Sequence, residues 1–186
     1  SEGILSADYD EHKEAIEFYD KALKIVETSE IYLNKGISLV ELEKYDDAVT
    51  CYDKAATIDG NDSLIWYNRG VALTQLEKYD DAISSYEKAI EIKPEYAQAY
   101  VNLGAIYKDK KNGEKALLNY LKAYEMDPEI DFIIGDILNI KMNLCIWDDL
   151  SSNLIKIKNK IIDANKVISP FPLLSLIDDP KLQSKE

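Results

Sequence analysis

Few side chains in this sequence have the types and spacing that catalysis requires. The single histidine, His12, stands between Glu11 and Lys13 on the polar side of a predicted helix, which is typical of a solvated surface residue. The chain has no His-Glu-x-x-His, no Cys-x-x-Cys and no glycine-rich phosphate loop. The sequence therefore predicts no catalytic residue, no metal site and no cofactor.

Four pairs of neighbouring aspartates are the remaining candidates for acid–base work or calcium binding. The first three pairs stand at predicted helix starts, where a carboxylate is stabilised by the helix dipole. We therefore interpret those three as structural. The four pairs are Asp46-Asp47, Asp80-Asp81, Asp148-Asp149 and Asp178-Asp179.

A column of asparagines is a better candidate for binding. Asn34, Asn68 and Asn102 stand 34 residues apart, each two residues before a glycine. A carboxamide both donates and accepts hydrogen bonds, so asparagines stacked at one interval could hold the peptide groups of an extended chain. The alternative is that these amides form hydrogen bonds only inside the fold, and the sequence leaves both open.

The interval of 34 residues runs through the chain. The phrase LEKYDDAV at 42–49 returns as LEKYDDAI at 76–83. Within a unit, apolar residues at helical spacing predict two helices joined by a short turn. Gly70 and Ala82 are expected to let these helices approach closely. The repeated columns are Gly36, Gly70 and Gly104; Ala48, Ala82 and Ala116; and Tyr52, Tyr86 and Tyr120.

The unit resembles the tetratricopeptide repeat, whose signature residues are here Trp66, Gly70, Tyr79, Ala82, Tyr86, Ala89 and Pro94. The resemblance implies an all-α, right-handed superhelical solenoid whose concave face is formed by the first helix of each unit. Full repeats are predicted at 29–62, 63–96 and 97–130. A truncated first unit at 1–28 precedes them, and a degenerate unit with capping helices at 131–165 and a proline-containing linker at 166–186 follow.

The peptide-binding face that the resemblance implies is mostly apolar around the asparagines. Repeats that clamp the carboxylate end of chaperone peptides carry several Lys and Arg side chains on this face. Here only Lys108 has such a position, with Lys35 and Arg69 one position away, so that ligand class is disfavoured. The predicted site consists of Asn34, Asn68 and Asn102 with Leu33, Ile37, Tyr67, Val71, Val101, Ala105 and Lys108.

The end of the chain carries a second resemblance. Cys145, Trp147 and Asp149, followed by SPFPLLSLIDDPKLQ at 169–183, are similar to the junction between repeats and catalytic domain in SPINDLY-like O-linked N-acetylglucosamine transferases. The resemblance implies the acceptor-recruiting arm of a glycosyltransferase whose catalytic domain lies outside these residues. The alternative is a stand-alone scaffold that assembles protein complexes.

Composition bears on partners and location. The chain has 35 acidic and 22 basic residues, a formal charge of −13, which repels nucleic acid and anionic membranes. Apolar runs such as 167–177 are too short to span a bilayer. The isolated Cys51 and Cys145 are predicted to be buried thiols of a cytoplasmic protein.

The truncated first unit predicts an exposed apolar face. Without a complete first helix to cover it, this face would be free to pair with a second copy of the chain. A homo-oligomer is therefore a further expectation. The residues of this face are Ala15, Ile16, Tyr19 and Leu23.

Overall fold

The fold is a succession of α-helices, as described by a computed structural model. Residues 2–130 and 132–146 are described, and for residues 2–9 the backbone alone. Within these ranges there are eight helices and no strand, so the predicted all-α repeat solenoid is confirmed. The helices are α1 (Glu2–Leu23), α2 (Ser29–Glu41), α3 (Tyr45–Ile58), α4 (Ser63–Gln75), α5 (Tyr79–Ile92), α6 (Ala97–Asp109), α7 (Gly113–Met126) and α8 (Ile133–Asn143).

The chain consists of two compact units, residues 1–99 and 100–186, with the boundary inside α6. In the first unit, α1 packs on α2, α2 on α3, α3 on α4 and α4 on α5. Its core contains Tyr32, Leu39, Tyr52 and Ile65. In the second unit, α7 packs on α8. The proline-containing linker and the second half of the degenerate unit lie outside the described residues.

One type of turn ends α2, α4, α6 and α8. Glu43, Glu77, Lys111 and Cys145 stand 34 residues apart, and each has a φ of 57°. The next residue in each turn donates its N–H to the carbonyl five residues earlier, as in Lys78 N to Leu73 O at 2.9 Å. This is the Schellman arrangement, which satisfies carbonyls at a helix end. The 34-residue register therefore extends through α8.

The glycine column packs against tyrosine rings, a contact that accompanies the expected close approach of the helices at Gly70 and Ala82. A Cβ atom on Gly70 would lie 2.7 Å from Cε1 of Tyr86. Gly36 with Tyr52, and Gly104 with Tyr120, have the same relationship. The ring of the second helix can lie against the backbone of the first only where no side chain intervenes.

Helix α1 differs from the predicted truncated unit. The repeat register places a turn near Asp10, but α1 is continuous from Glu2 to Leu23. A continuous helix gives the backbone groups of residues 2–9 hydrogen-bond partners one turn along the chain.

The apolar face predicted on α1 is less exposed than expected. Its four residues, Ala15, Ile16, Tyr19 and Leu23, are half-buried, and Ile16 and Leu23 pack against the core of the first unit. Phe18, on another side of the helix, is 68% exposed. The surface expected to pair with a second copy is therefore smaller than the sequence suggested.

The two cysteines have different environments. Cys51 lies in the core, and burial raises the pKa of its thiol. Cys145 is exposed, so the prediction of two buried thiols is wrong for this residue, because it occupies the turn after α8. Over residues 2–130 and 132–146, no helix has the length and hydropathy needed to cross a membrane.

Candidate functional site

The candidate site of the first unit is a surface shared by α2 and α4, which contact each other. Residues at the spacing i, i+4, i+7 and i+11 lie on one side of a helix. Two such stripes, one on each helix, consist entirely of exposed or half-buried residues. We define the α2–α4 face as Glu30, Asn34, Ile37 and Glu41 on α2 with Leu64, Asn68, Val71 and Gln75 on α4.

Side-chain caps fix the start of both helices. The Oγ1 atom of Thr28 accepts a hydrogen bond from Ile31 N at 3.3 Å, and the Oδ1 atom of Asp62 accepts one from Leu64 N at 2.8 Å. Each cap satisfies an N–H group that has no partner within its helix. The caps thereby fix where α2 and α4 begin, and with that which residues of each helix form the α2–α4 face.

Asn68 combines an internal bond with capacity for a ligand. Its Nδ2 atom donates to the carbonyl of Leu64, one turn earlier on α4, at 2.9 Å. This bond uses one of the two amide N–H groups and does not use the side-chain oxygen. Internal bonding and peptide binding, the two alternatives raised by the sequence, are therefore compatible at this position.

Beside this face, Tyr67 packs against Tyr96. The two rings are stacked, with centroids 4.8 Å apart and planes 25° apart. Burial, together with the neighbouring Tyr67 and Asp62, raises the pKa of Tyr96 to about 12. Sequence reasoning missed Tyr96 because it follows Pro94 in a loop and belongs to no repeated column.

Leu33 and Ile37, two predicted contact residues on α2, differ in their exposure. Leu33 is only 7% exposed and belongs to the core of the first unit, so it is not available to a ligand. It lies one position, about 100° around the helix, from Asn34. Ile37 packs partly against the core but remains half-exposed on the α2–α4 face.

In the second unit, the predicted site residues lie on α6. Val101, Asn102 and Ala105 are half-buried. Lys108 is exposed, and its Nζ atom donates to Oδ1 of Asp136 on α8 at 3.0 Å. Asp136 occupies the position of the asparagine column in that helix, so the predicted basic contact is already paired with a carboxylate.

The two neighbouring cations of the first unit are also paired. Lys35 Nζ lies 2.6 Å from Oδ1 of Asp20, and Arg69 Nε lies 2.7 Å from Oδ1 of Asp53. Burial lowers the pKa of Lys35, but the hydrogen bond to Asp20 helps to raise it overall. Arg69 also donates to the buried Ser85 hydroxyl. The sequence contains a signal for these pairs. An aspartate directly follows a tyrosine in both units, as Asp20 follows Tyr19 and Asp53 follows Tyr52, 33 residues later.

Acid–base or metal chemistry finds no support in the described part of the chain. Asp46-Asp47 and Asp80-Asp81 lie in the first turns of α3 and α5, as predicted. The other two pairs and Trp147 lie outside the described residues. Among residues 2–130 and 132–146, no three His, Cys, Asp or Glu side chains are grouped to hold a metal ion.

Comparison with protein families identifies one family across the middle of the chain. A profile described as "Tetratricopeptide repeat" matches residues 63–96, and another of that description matches 85–117. A "TPR repeat" profile matches residues 36–76. No match was found among curated proteins.

Several solved structures share the fold. A crystal structure of MamA is similar over 80% of this chain and 88% of its own, with a TM-score of 0.74 and 23% identity, which supports the fold alone. YrrB, described as a TPR protein with an unusual peptide-binding site, has a TM-score of 0.62 and 29% identity, over 72% of this chain and 67% of its own.

A third similar structure contains a peptide. The first TPR of Spaghetti (RPAP3), bound to the HSP90 peptide SRMEEVD, has a TM-score of 0.61 and 25% identity. The similarity covers 63% of this chain and 94% of the Spaghetti domain.

Proposed function

Because residues 36–117 of this chain are tetratricopeptide repeats, we propose that it is a non-catalytic protein-interaction module that binds extended polypeptide on the α2–α4 face. The observation that carries the proposal is the pairing of amides with aliphatic side chains on this face. Asn34 and Asn68 supply hydrogen-bonding groups for a peptide backbone, and Ile37 and Val71 supply apolar contacts beside them.

The solved relatives support peptide recognition as the function class. Spaghetti holds a heptapeptide in its structure, and YrrB is described by its peptide-binding site. The similarity covers 72% of this chain for YrrB and 63% for Spaghetti. The same use of a helical repeat surface is proposed here, in a cytoplasmic setting and without a bound cofactor.

Substitution of the asparagines tests the proposal. A library of random dodecapeptides is first screened against the full chain, and the affinity of the strongest binders is measured by fluorescence anisotropy. Asn34→Ala with Asn68→Ala should weaken binding by about tenfold or more, because each lost peptide hydrogen bond contributes about 1 kcal/mol. Circular dichroism should report unchanged helicity.

Asn119→Ala is the matched control. Asn119 makes the same internal bond as Asn68, from its Nδ2 atom to the carbonyl of Lys115 one turn earlier, at 2.8 Å. It lies on α7 in the second unit and is not part of the α2–α4 face, so its loss should leave affinity unchanged. Equal binding by the double variant and the control would remove the asparagines from the function.

The glycosyltransferase arm is the second candidate. Its support is the resemblance at Cys145, Trp147 and 169–183, most of which lies outside the described residues. The similar structures described above support the protein-interaction function, but they do not support a glycosyltransferase arm. Reading the gene beyond the codon for Glu186 tests it, because a nucleotide-sugar-binding domain must follow. A stop codon there favours the stand-alone scaffold.

A further inference from the structure

We propose that the polypeptide bound by the α2–α4 face is basic, with Lys or Arg side chains flanking apolar ones, and that acidic peptides are rejected. This inference rests on the proposed function, because it specifies the chemistry of the ligand at the same face. Three observations lead to it: the distribution of charge along the chain, the pairing of nearby cations and the carboxylates of the face itself.

Nearly all of the net charge belongs to the first unit. Residues 1–99 contain 22 acidic and 10 basic residues, a net charge of −12. Residues 100–186 contain 13 acidic and 12 basic residues, a net charge of −1. The unit that contains the α2–α4 face therefore attracts cationic segments and repels anionic ones.

The cations beside the asparagines are committed to the fold. Lys35 follows Asn34 and is held by Asp20, and Arg69 follows Asn68 and is held by Asp53 and Ser85. Their side chains are only 20% and 22% exposed. Binding an acidic ligand through either cation would require breaking an existing ion pair.

The face itself presents carboxylates and no cation. Glu30 and Glu41 are exposed at the two ends of the α2 stripe, with Asn34 and Ile37 between them. Eleven residues of helix separate the two carboxylates by about 16 Å along the axis. An extended peptide covers that distance in about five residues. The face thus fits a segment with basic residues at both ends of an apolar centre.

Affinity for a pair of peptides tests the inference with the full chain. One peptide is SRMEEVD, the ligand of the Spaghetti structure. The other has lysine at its three acidic positions and an amidated carboxyl terminus. In 50 mM salt, fluorescence anisotropy should give at least tenfold tighter binding of the basic peptide. At 300 mM salt the preference should shrink to a few-fold or less, because screening weakens the attraction.

Charge variants separate the face from the general charge of the unit. Glu30→Gln with Glu41→Gln should weaken binding of the basic peptide by about three- to tenfold at low salt. Glu43→Gln with Glu87→Gln removes the same charge elsewhere in the first unit and should change affinity less than twofold. Equal losses in the two double variants would overturn the assignment to this face.

The remaining outcomes distinguish this inference from the proposed function. Equal or tighter binding of SRMEEVD would overturn the inference while leaving peptide binding intact. If neither peptide nor any member of the random library binds, the proposed function itself fails. Tighter binding of the basic peptide, weakened only in the Glu30 and Glu41 double variant, supports both the inference and the proposed function.

Discussion

The hydroxyl of Tyr86 lies 3.2 Å from Oγ1 of Thr74, across the helix pair α4–α5. The preceding repeat has Tyr52 and Val40 at the equivalent positions, 34 residues earlier, and valine offers no hydrogen bond. Among the described residues, the buried Tyr52 hydroxyl has no hydrogen-bond partner. The equivalent ring therefore has an unsatisfied hydroxyl at Tyr52 and a satisfied one at Tyr86, one repeat later.

Replacing each tyrosine by phenylalanine should have different effects. Tyr86→Phe removes a hydrogen bond and should lower the free energy of unfolding by about 1 kcal/mol. Tyr52→Phe removes a hydroxyl that is buried without compensation, so it should be neutral or stabilising. Urea unfolding followed by circular dichroism compares the two variants. Equal destabilisation would show that the Tyr52 hydroxyl has a partner in solution.

Val40→Thr should supply the missing partner. Threonine has nearly the shape of valine, and its hydroxyl would occupy the position of the Thr74 hydroxyl. We expect stabilisation by about 1 kcal/mol, or a rise in Tm of about 2–4 °C for a chain of this size.

Val49→Thr is the control for that substitution. Val49 is also half-buried and packs against the core of the first unit, but its equivalent in the next repeat is Ile83, which offers no side-chain hydrogen bond to reproduce. This change should destabilise the protein, because it introduces a polar group into apolar surroundings. If Val40→Thr lowers stability as much as Val49→Thr does, the expected hydrogen bond to the Tyr52 hydroxyl does not form.

The repeat register predicted the all-α fold because its signals are local and periodic. The column of Gly70 and the column of Tyr86 each mark a fixed place in a helix pair, and their contact recurs in three repeats. The exact contact was less predictable. Spacing alone could not show that the Tyr86 ring lies nearer to Gly70 than Ala82 does, since both residues lie on the same side of α5.

The binding face was harder to predict than the fold. Asn34 and Leu33 are neighbours in sequence, but a rotation of about 100° places one at the surface and the other in the core. Lys108 on α6 pairs with Asp136 on α8, which lies 28 residues later in the sequence. Such contacts follow from tertiary geometry, which composition and spacing do not contain.

Glycine at a left-handed turn position should stabilise the protein. Glu77 has a φ of 57°, where a side chain costs about 1–2 kcal/mol relative to glycine. Glu77→Gly relieves this cost but increases the entropy of the unfolded chain, so the net gain should be about 0.5–1 kcal/mol. Chemical unfolding gives the value.

The control for Glu77 is the same substitution inside a helix. Glu87 is exposed in the middle of α5 and has no positive φ. Glu87→Gly should therefore cost about 1 kcal/mol, the usual penalty of glycine in a helix. Opposite signs for the two variants are expected, and a loss at both positions would argue against strain in the turn.

Gly70→Ala should destabilise the helix pair despite the higher helix propensity of alanine. The new methyl group would lie 2.7 Å from the Tyr86 ring, which is buried and cannot move aside. Overpacking costs about 1–3 kcal/mol, against about 1 kcal/mol gained from propensity, so a net loss of up to about 2 kcal/mol is expected. Thermal unfolding measures it.

Two variants show whether the Tyr86 ring causes the Gly70 penalty. Gly113→Ala places a methyl group 3.2 Å from the end of the flexible Leu144 side chain, which can adjust, so this change should be nearly neutral. In a Tyr86→Leu background, Gly70→Ala should lose most of its cost, because the ring is gone. A penalty that persists with leucine would show that the Tyr86 ring is not its cause.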